Sequence, residues 1–389
     1  LSFRPAAIGV LHAFLDEESL EDAHEPDYRS RMKLVAALAS AALAFTLGGC
    51  PANQRNDSVE AANEGTKAMG SKQWEVAIEK YIKATERWHD NHSAWYGLAA
   101  AHSMRRDWTK ASEAAGTAAQ LEPDIAMYHL MYGKTLYEKQ IHQAREDAAK
   151  KENKKPEEVD ADLSNLNFQQ ALQELQLAVK LNNDLWRAHY LIGSISRHSG
   201  KTKEAAEEFT KSLEAAPTEP APWIALAEVY RQWDYTDQAI QVAQQGTLVI
   251  PGENEKSEIY FELGMGYDDK RLDDKAIEAF DKSLESKKDN HKAKFARGQA
   301  YFRKGTYDKA KRDLEEFSKA GGASVEFFKQ QASRMLMDIA AKSAMEKGAG
   351  AAPTEKLSPE DVVKKGKDGK GGKAPAPAPA PAPAPKKGK

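Results

Sequence analysis

Only one cysteine, Cys50, occurs in the 389 residues, so the chain can form no internal disulfide and no paired-thiol metal or redox site. No run of 18 apolar residues exists, which excludes a permanent membrane-spanning helix. Neither sign of charge dominates: 56 Lys and Arg face 59 Asp and Glu, a net charge of -3, whereas general nucleic-acid binding needs a clear basic excess. A glycine-rich phosphate loop, a His-Glu-x-x-His and a Gly-x-Ser-x-Gly are all missing. His89 and His92 have a metal-compatible spacing but sit among ordinary turn residues, and Asp268-Asp269 lacks the alternating ligands and glycine of a calcium loop. No enzyme activity, cofactor, metal site or nucleic-acid partner is therefore expected.

What the chain has in abundance is a repeat. Ala77, Ala111, Ala171, Ala205, Ala239, Ala276 and Ala310 mark units that are 34 residues apart where nothing is inserted. Twelve residues before most of them stands a second small residue: Gly65, Ala99, Gly193, Ala227, Gly264 or Gly298. Twelve after, three units show Pro123, Pro217 and Pro251. Each unit carries two helical patterns, and at their closest crossing a side chain larger than Ala would push the axes apart. Proline then stops the second helix.

Small, Ala and Pro at these steps, with aromatics between them, resemble the tetratricopeptide repeat. The resemblance implies an all-α solenoid, a right-handed superhelix of seven helix pairs, with units at 58–91, 92–125, 126 to about 185, 186–219, 220–253, 257–290 and 291–324. Glu64 and Ser212 depart from the apolar pattern. Residues 325–347, apolar at Phe328, Met335, Ile339 and Met345 among charges, are expected to close the stack as a capping helix.

The third unit carries an insertion of 26 residues, since Gly133 and Ala171 are 38 apart instead of 12. Apolar spacing continues through Tyr137, Ile141, Ala144 and Ala148, and again through Val159, Leu163 and Leu166. Asn153-Lys154-Lys155-Pro156 reads as the turn between them. An antiparallel helical hairpin over about 138–164 is expected, projecting about 20 Å at about 1.5 Å per residue. Two roles stand for it, a contact arm and a solvated spur.

The lone cysteine follows Met32-Lys33 and the apolar run Leu34 to Leu47, which is of signal-peptide length. The segment ends Leu47-Gly48-Gly49-Cys50 and resembles the lipobox of bacterial lipoproteins, in which the cysteine thiol takes a diacylglycerol. By this resemblance residues 32–49 are a lipoprotein signal peptide, Cys50 is the lipidation site and 50–57 a polar tether. Pro51 follows, where the inner-membrane retention signal would have Asp, so the outer membrane, periplasmic face, is the expected location. Residues 1–31 are acidic and displace the apolar run from the N-terminus, so Met32 is expected to be the true start. A cytosolic repeat adaptor without lipid is the alternative if residues 1–31 are native.

Beyond 348 composition turns to Gly, Ala, Lys and Pro, and Ala374 to Pro385 alternates strictly. Proline at every second residue withholds the donors that helix and sheet need, so the tail 348–389 is expected to be disordered with a polyproline stretch roughly 37 Å long. Its lysines, among them Lys364, Lys370, Lys386 and Lys389, would reach anionic cell-wall polymer or lipid, or simply keep the end solvated.

What the family implies about the site is a concave row on the first helices. Position 5 of units two to seven is Tyr96, Leu130, Tyr190, Ile224, Phe261 and Phe295. Nearby charges are Arg187, Arg197, Arg231, Lys292 and Arg303, opposed by Glu228, Glu258, Asp268 and Asp269. Two readings of the row stay open: a groove that takes a protein or peptide partner on aromatic seats with charges setting register, and a row that packs against the next unit. The carboxylate clamp of cytosolic co-chaperone repeats is not matched, since Ala62, Thr66, Gly97, Met127 and Met131 occupy its places. The organisation looks like the repeat lipoproteins that assist pilus secretin or outer-membrane protein assembly.

Overall fold

A computed structural model describes residues 50–156, 159, 161–320 and 323–346. The expected extension 1–31, signal peptide 32–49 and tail 348–389 lie outside the described residues. Contacts divide the chain into two compact units between Met337 and Asp338. The second includes, among the described residues, only the end of the last helix.

Fifteen helices and no strand occur among the described residues. They pair as α1 Cys50–Gly70 with α2 Trp74–Arg87, α3 His92–Met104 with α4 Trp108–Leu121, and α5 Ala126–Glu152 with α6 Gln169–Leu181. Then come α7 Trp186–His198 with α8 Thr202–Ala215, α9 Pro220–Gln232 with α10 Thr236–Val249, and α11 Lys256–Asp269 with α12 Asp273–Ser286. The last pair is α13 His291–Arg303 with α14 Tyr307–Ser318, and α15 Ala323–Glu346 follows. This is the all-α repeat solenoid of seven helix pairs and a closing helix.

Local chemistry sets the boundaries. Asn91, Asp107 and Asn290 cap α3, α4 and α13 by accepting from the backbone N–H three residues on, at 3.1, 3.3 and 3.2 Å. Pro220 opens α9, where its missing N–H costs nothing. The turn between the two helices of a unit is built on one left-handed residue at position 15. It is Gly200 and Gly305 in units four and seven, but Lys72, Arg106, Asp234 and Arg271 in units one, two, five and six, with φ between 55° and 60°. The next residue then donates to the carbonyl five back, as Gln73 does to Ala68 at 3.0 Å and Tyr235 to Tyr230 at 2.9 Å, closing the helix end. Since a β-carbon is strained at this φ, Lys72→Gly should stabilise the chain by about 1 kcal/mol, and Gly305→Ala should destabilise it by about as much. Urea midpoints check the two opposite signs.

Packing within a pair follows a second rule. A β-carbon at Gly264 would sit 2.4 Å from Cε1 of Phe280, and one at Gly193 would sit 2.8 Å from Phe209, so the first helix is bare where the second is bulky. In units two and five the same two positions are both alanine, Ala99 with Ala115 and Ala227 with Ala243, all fully buried. The two departures from the apolar pattern have partners. Ser212 Oγ donates to the Trp186 carbonyl at 2.9 Å, and Glu64 pairs with Lys80 at 2.6 Å.

Two expected segments differ. Residues 50–57 are not a tether but the start of α1, held to α2 and its end by the Asp57–Arg87 ion pair, by the Arg55 guanidinium 4.6 Å over the Trp88 ring, and by Ser58 Oγ donating to Ala84 O at 2.7 Å. In the inserted hairpin only the outgoing half is a helix, α5, which Asn153 ends at φ 52°. Beyond Pro156, the described residues of the return half are not helical. Asp162 instead accepts from the Ser164 N–H at 2.9 Å and the Ser164 hydroxyl at 2.6 Å, a local bond that competes with helix formation. Leu163 and Leu166 fold back onto the core of units three and four, and Val159 is buried.

Candidate partner-binding site

The position-5 row divides in two. Tyr96 is 1% exposed with its ring 5.1 Å from Tyr128, and Phe295 is 6% exposed between Phe317 at 4.8 Å and Phe328 at 5.1 Å. Neither is a seat for a partner, because the neighbouring first helix, or α15, lays an aromatic over it. Leu130 is likewise buried. In the middle of the row Tyr190, Ile224 and Phe261 remain half-buried, on α7, α9 and α11. Tyr190 rests on Phe209 with centroids 5.7 Å apart, and Phe261 on Phe280 at 6.0 Å, so the bulky residue of each second helix props the half-exposed ring of the first. Arg187, also half-buried, lays its guanidinium 4.5 Å from the Trp186 ring centre. Burial lowers that guanidinium below its ordinary pKa.

Of the charges expected to set a partner's register, Arg197, Arg231, Arg303, Glu228, Asp268 and Asp269 are instead held within the stack. Arg197 pairs with Glu228 of the next unit. Arg231 donates from Nη1 to Glu262 at 2.9 Å and from Nε to Asp269 at 2.8 Å. Arg303 pairs with Asp268 and Asp273, donating from Nε to Asp273 at 2.9 Å. Each arginine near the end of one first helix thus reaches a carboxylate of an adjacent unit, a ladder that fixes unit-to-unit spacing. Burial alone would lower the Arg231 guanidinium, but Glu262 and Asp269 outweigh it and the net direction is up. Glu262 itself, 5% exposed, is pushed up to about 7, burial prevailing over the pull of Arg231.

Between α9 and α11, and reaching the start of α10, the ladder encloses a cavity of about 600 Å³. Glu228, Arg231 and Glu262 line it inside, and Asp234 and Arg271, both with left-handed backbone, line it from the two turns. Glu262, Asp234 and Arg271 are not singled out by the repeat pattern. A signal for Glu262 exists nonetheless: position 6 is Gly97, Met131, Leu191, Ala225 and Ala296 in units two to five and seven, and only unit six places a carboxylate there.

Residues 63–114, 157–220 and 262–316 match the family model of the tetratricopeptide repeat. No curated protein matches the chain. Among solved structures, a chain of the APC/C hetero-tetramer Cut9-Hcn1 is similar with a TM-score of 0.50 and 14% identity, over 83% of this chain and 58% of that one. This chain therefore spans little more than half the length of that relative. A tetratricopeptide repeat protein from Parabacteroides merdae gives 0.49 and 12% over 73% and 99%. Pseudomonas aeruginosa pilF gives 0.46 and 17% over 62% and 96%. Identities this low speak for the fold alone. Fold and repeats together define a class, an all-α helical-repeat solenoid. More particularly, the three matched segments, 63–114, 157–220 and 262–316, are similar to tetratricopeptide repeats.

Proposed function

We propose that the chain grips a segment of a protein partner along the first helices of units four to six, and that lipid on Cys50 moors it to the periplasmic face of the outer membrane. One observation carries the grip: the apolar residues left open, Tyr190, Ile224 and Phe261, lie on three consecutive first helices, with Arg187 beside them and the cavity between the last two. Half-buried aromatics propped from below give contact area with little conformational entropy to lose, which is what binding hot spots require. The mooring is supported by the sequence, where the only cysteine directly follows an apolar run and Leu47-Gly48-Gly49. Diacylglycerol supplies two acyl chains, and two suffice for lasting anchorage where one does not.

Each half has its own test. Tyr190→Ala with Phe261→Ala should weaken capture of partner from detergent-treated envelopes at least tenfold, about 1.4 kcal/mol or more, with helicity by circular dichroism unchanged. Capture equal to that of the unaltered chain removes the groove. For the mooring, the chain expressed in a Gram-negative host should sediment with membranes, and Cys50→Ala should move to the soluble fraction. Unaltered chain that is soluble as well overturns it.

A further inference from the structure

Position 4 of the first helix ties its unit to the preceding loop in four of the units. The Trp95 and Trp223 indoles of units two and five donate to carbonyls six residues back, His89 O at 2.7 Å and Pro217 O at 2.8 Å. In units three and four histidine takes that place. His129 Nε2 lies 2.9 Å from Pro123 O and His189 Nε2 lies 3.1 Å from Asn183 O, again six residues back. A carbonyl oxygen only accepts, so Nε2 carries a proton in both rings. Nδ1 in turn lies 2.7 Å from a carboxylate oxygen, of Glu174 on α6 for His129 and of Glu208 on α8 for His189, and that contact needs a proton as well. Glu208 does not hold it: burial raises its carboxyl, but the hydrogen bonds from His189 and Lys211 prevail and bring it below the ordinary value. With the same geometry in both units, each ring carries two protons between two acceptors, its side chain 6% exposed at His129 and 2% at His189.

The repeats pair the carboxylate with a cation. Position 23, on the second helix, is Ala114 and Val242 in units two and five, where position 4 is tryptophan, and Glu174 and Glu208 where it is histidine. A further carboxylate at 23, Asp313, goes with Lys294 at 4, although these two pair elsewhere, with Arg297 and Glu316. His129 and His189 are the fourth residues of α5 and α7, where the positive end of the helix disfavours a cation, so the carboxylate is what retains the second proton. Around each pair, Tyr132 on α5 interacts with Glu174 and Lys211 on α8 shares Glu208. Glu122 and Asp124 flank Pro123, and Asp184 follows Asn183. No other described side chain of α3 to α9 makes a hydrogen bond or ion pair with either imidazole.

We propose that His129 and His189 are proton-operated clasps, each closed by an imidazole that donates at once to the loop before its helix and to the second helix of its unit. Loss of one proton to water leaves a single N–H for two buried acceptors, so one contact turns into lone pair against lone pair and the joint opens. The joints between units two and three and between units three and four therefore slacken as pH rises. The clasp is independent of the grip and of the mooring proposed above, although His189 directly precedes Tyr190 and its opening loosens the turn that carries that ring.

The test uses the full chain, labelled with nitrogen-15 in histidine, and three altered forms. At pH 7.5 nuclear magnetic resonance should show two imidazoles with both ring nitrogens protonated, and Glu174→Gln and Glu208→Gln should each remove one of them. Glutamine can donate to the bare Nδ1, so these two forms keep the fold. The third form rebuilds units three and four on the pattern of two and five, with His129→Trp, Glu174→Ala, His189→Trp and Glu208→Val. Above the ordinary histidine value of about 6.5 the unfolded chain has released a proton that each closed clasp keeps, so the folded chain binds more protons and loses stability as pH rises until the clasp opens. From pH 6 to pH 9 the ratio of urea unfolding constants, unaltered over rebuilt, should rise at least tenfold per clasp, about a hundredfold for both. Rings with one protonated nitrogen at pH 7.5, or a ratio that changes less than threefold, overturn the proposal. If the rebuilt form does not fold, the spectra of the other three decide.

Discussion

Arg297→Ala is expected to cost about 3–5 kcal/mol, enough to melt the last helix pair at temperatures where the rest of the stack holds. Arg297 is on α13 and points inward, its side chain 16% exposed. It donates from Nε and Nη2 to the two oxygens of Asp313 at 2.7 and 2.8 Å and from Nη1 to Asp281 at 2.6 Å. Asp313 on α14 is 1% exposed, and Asp281 is on α12 of the preceding unit. Burial taken alone would lower the guanidinium, yet the bonds and charges of Asp313 and Asp281 raise it well above the ordinary arginine value. Truncation leaves the Asp313 carboxylate sealed in the stack with only the largely exposed Arg312, 3.9 Å away, as counter-charge, and that poorly compensated charge is the cost, more than the lost attraction. The same reasoning fixes a control: Arg297→Met with Asp313→Leu removes both charges at similar volume and should recover most of the loss. In a repeat array stability is close to a sum over units and their interfaces, so the loss should localise. Hydrogen exchange should quicken in residues 291–318 and stay slow in units one to four. A uniform increase along the chain, or a double variant no better than Arg297→Ala, contradicts the account.

The pairing of helices is legible in the sequence because its cause is local and steric. Gly193 and Gly264 stand where Phe209 and Phe280 press in, and the alanines stand where alanine faces alanine, so small residues at a fixed step encode the crossing. The left-handed turn is harder to read, because Lys72, Arg106, Asp234 and Arg271 occupy a site that only Gly200 and Gly305 announce. The return half of the insertion shows the limit of periodicity. Val159, Leu163 and Leu166 have helical spacing, but the polar residues between them, Asp162, Ser164 and Asn165, bond to one another and to the local backbone.

The site is less legible than the fold, for a different reason. Position 5 has one register but two fates, and the fate of each residue is decided by its neighbour. Tyr128 lies against Tyr96 and Phe328 against Phe295, whereas Tyr190, Ile224 and Phe261 stay half open. Spacing along one helix carries no information about which ring the adjacent helix brings. The charges behave likewise: Arg231 reads as a surface residue until Glu262, 31 positions on, is seen beneath it.

That carboxyl should give the chain an unusual pH profile. Glu262 faces Arg231 and Glu228 on α9, Asp269 on its own helix through the shared Arg231, and Lys292 on α13. Burial prevails and its folded-state value is about 7 against an ordinary 4.5. Between those two values the folded chain keeps the proton while the unfolded chain releases it, so the folded state binds more protons and its stability falls as pH rises through the window. Below about pH 4.5 the cost is absent, and above about pH 7 it is complete. At about 1.4 kcal/mol per pH unit the span amounts to about 3 kcal/mol. His102 and His198 act the other way, because burial lowers both, and the stability they contribute is lost as pH falls. The chain as a whole therefore mixes opposed trends, and the difference from Glu262→Gln isolates this one. Urea midpoints at pH 5, 6, 7 and 8 should show Glu262→Gln gaining on the unaltered chain by about 3 kcal/mol between pH 5 and pH 8. A constant difference across that range would mean that Arg231 keeps the carboxyl ionised throughout.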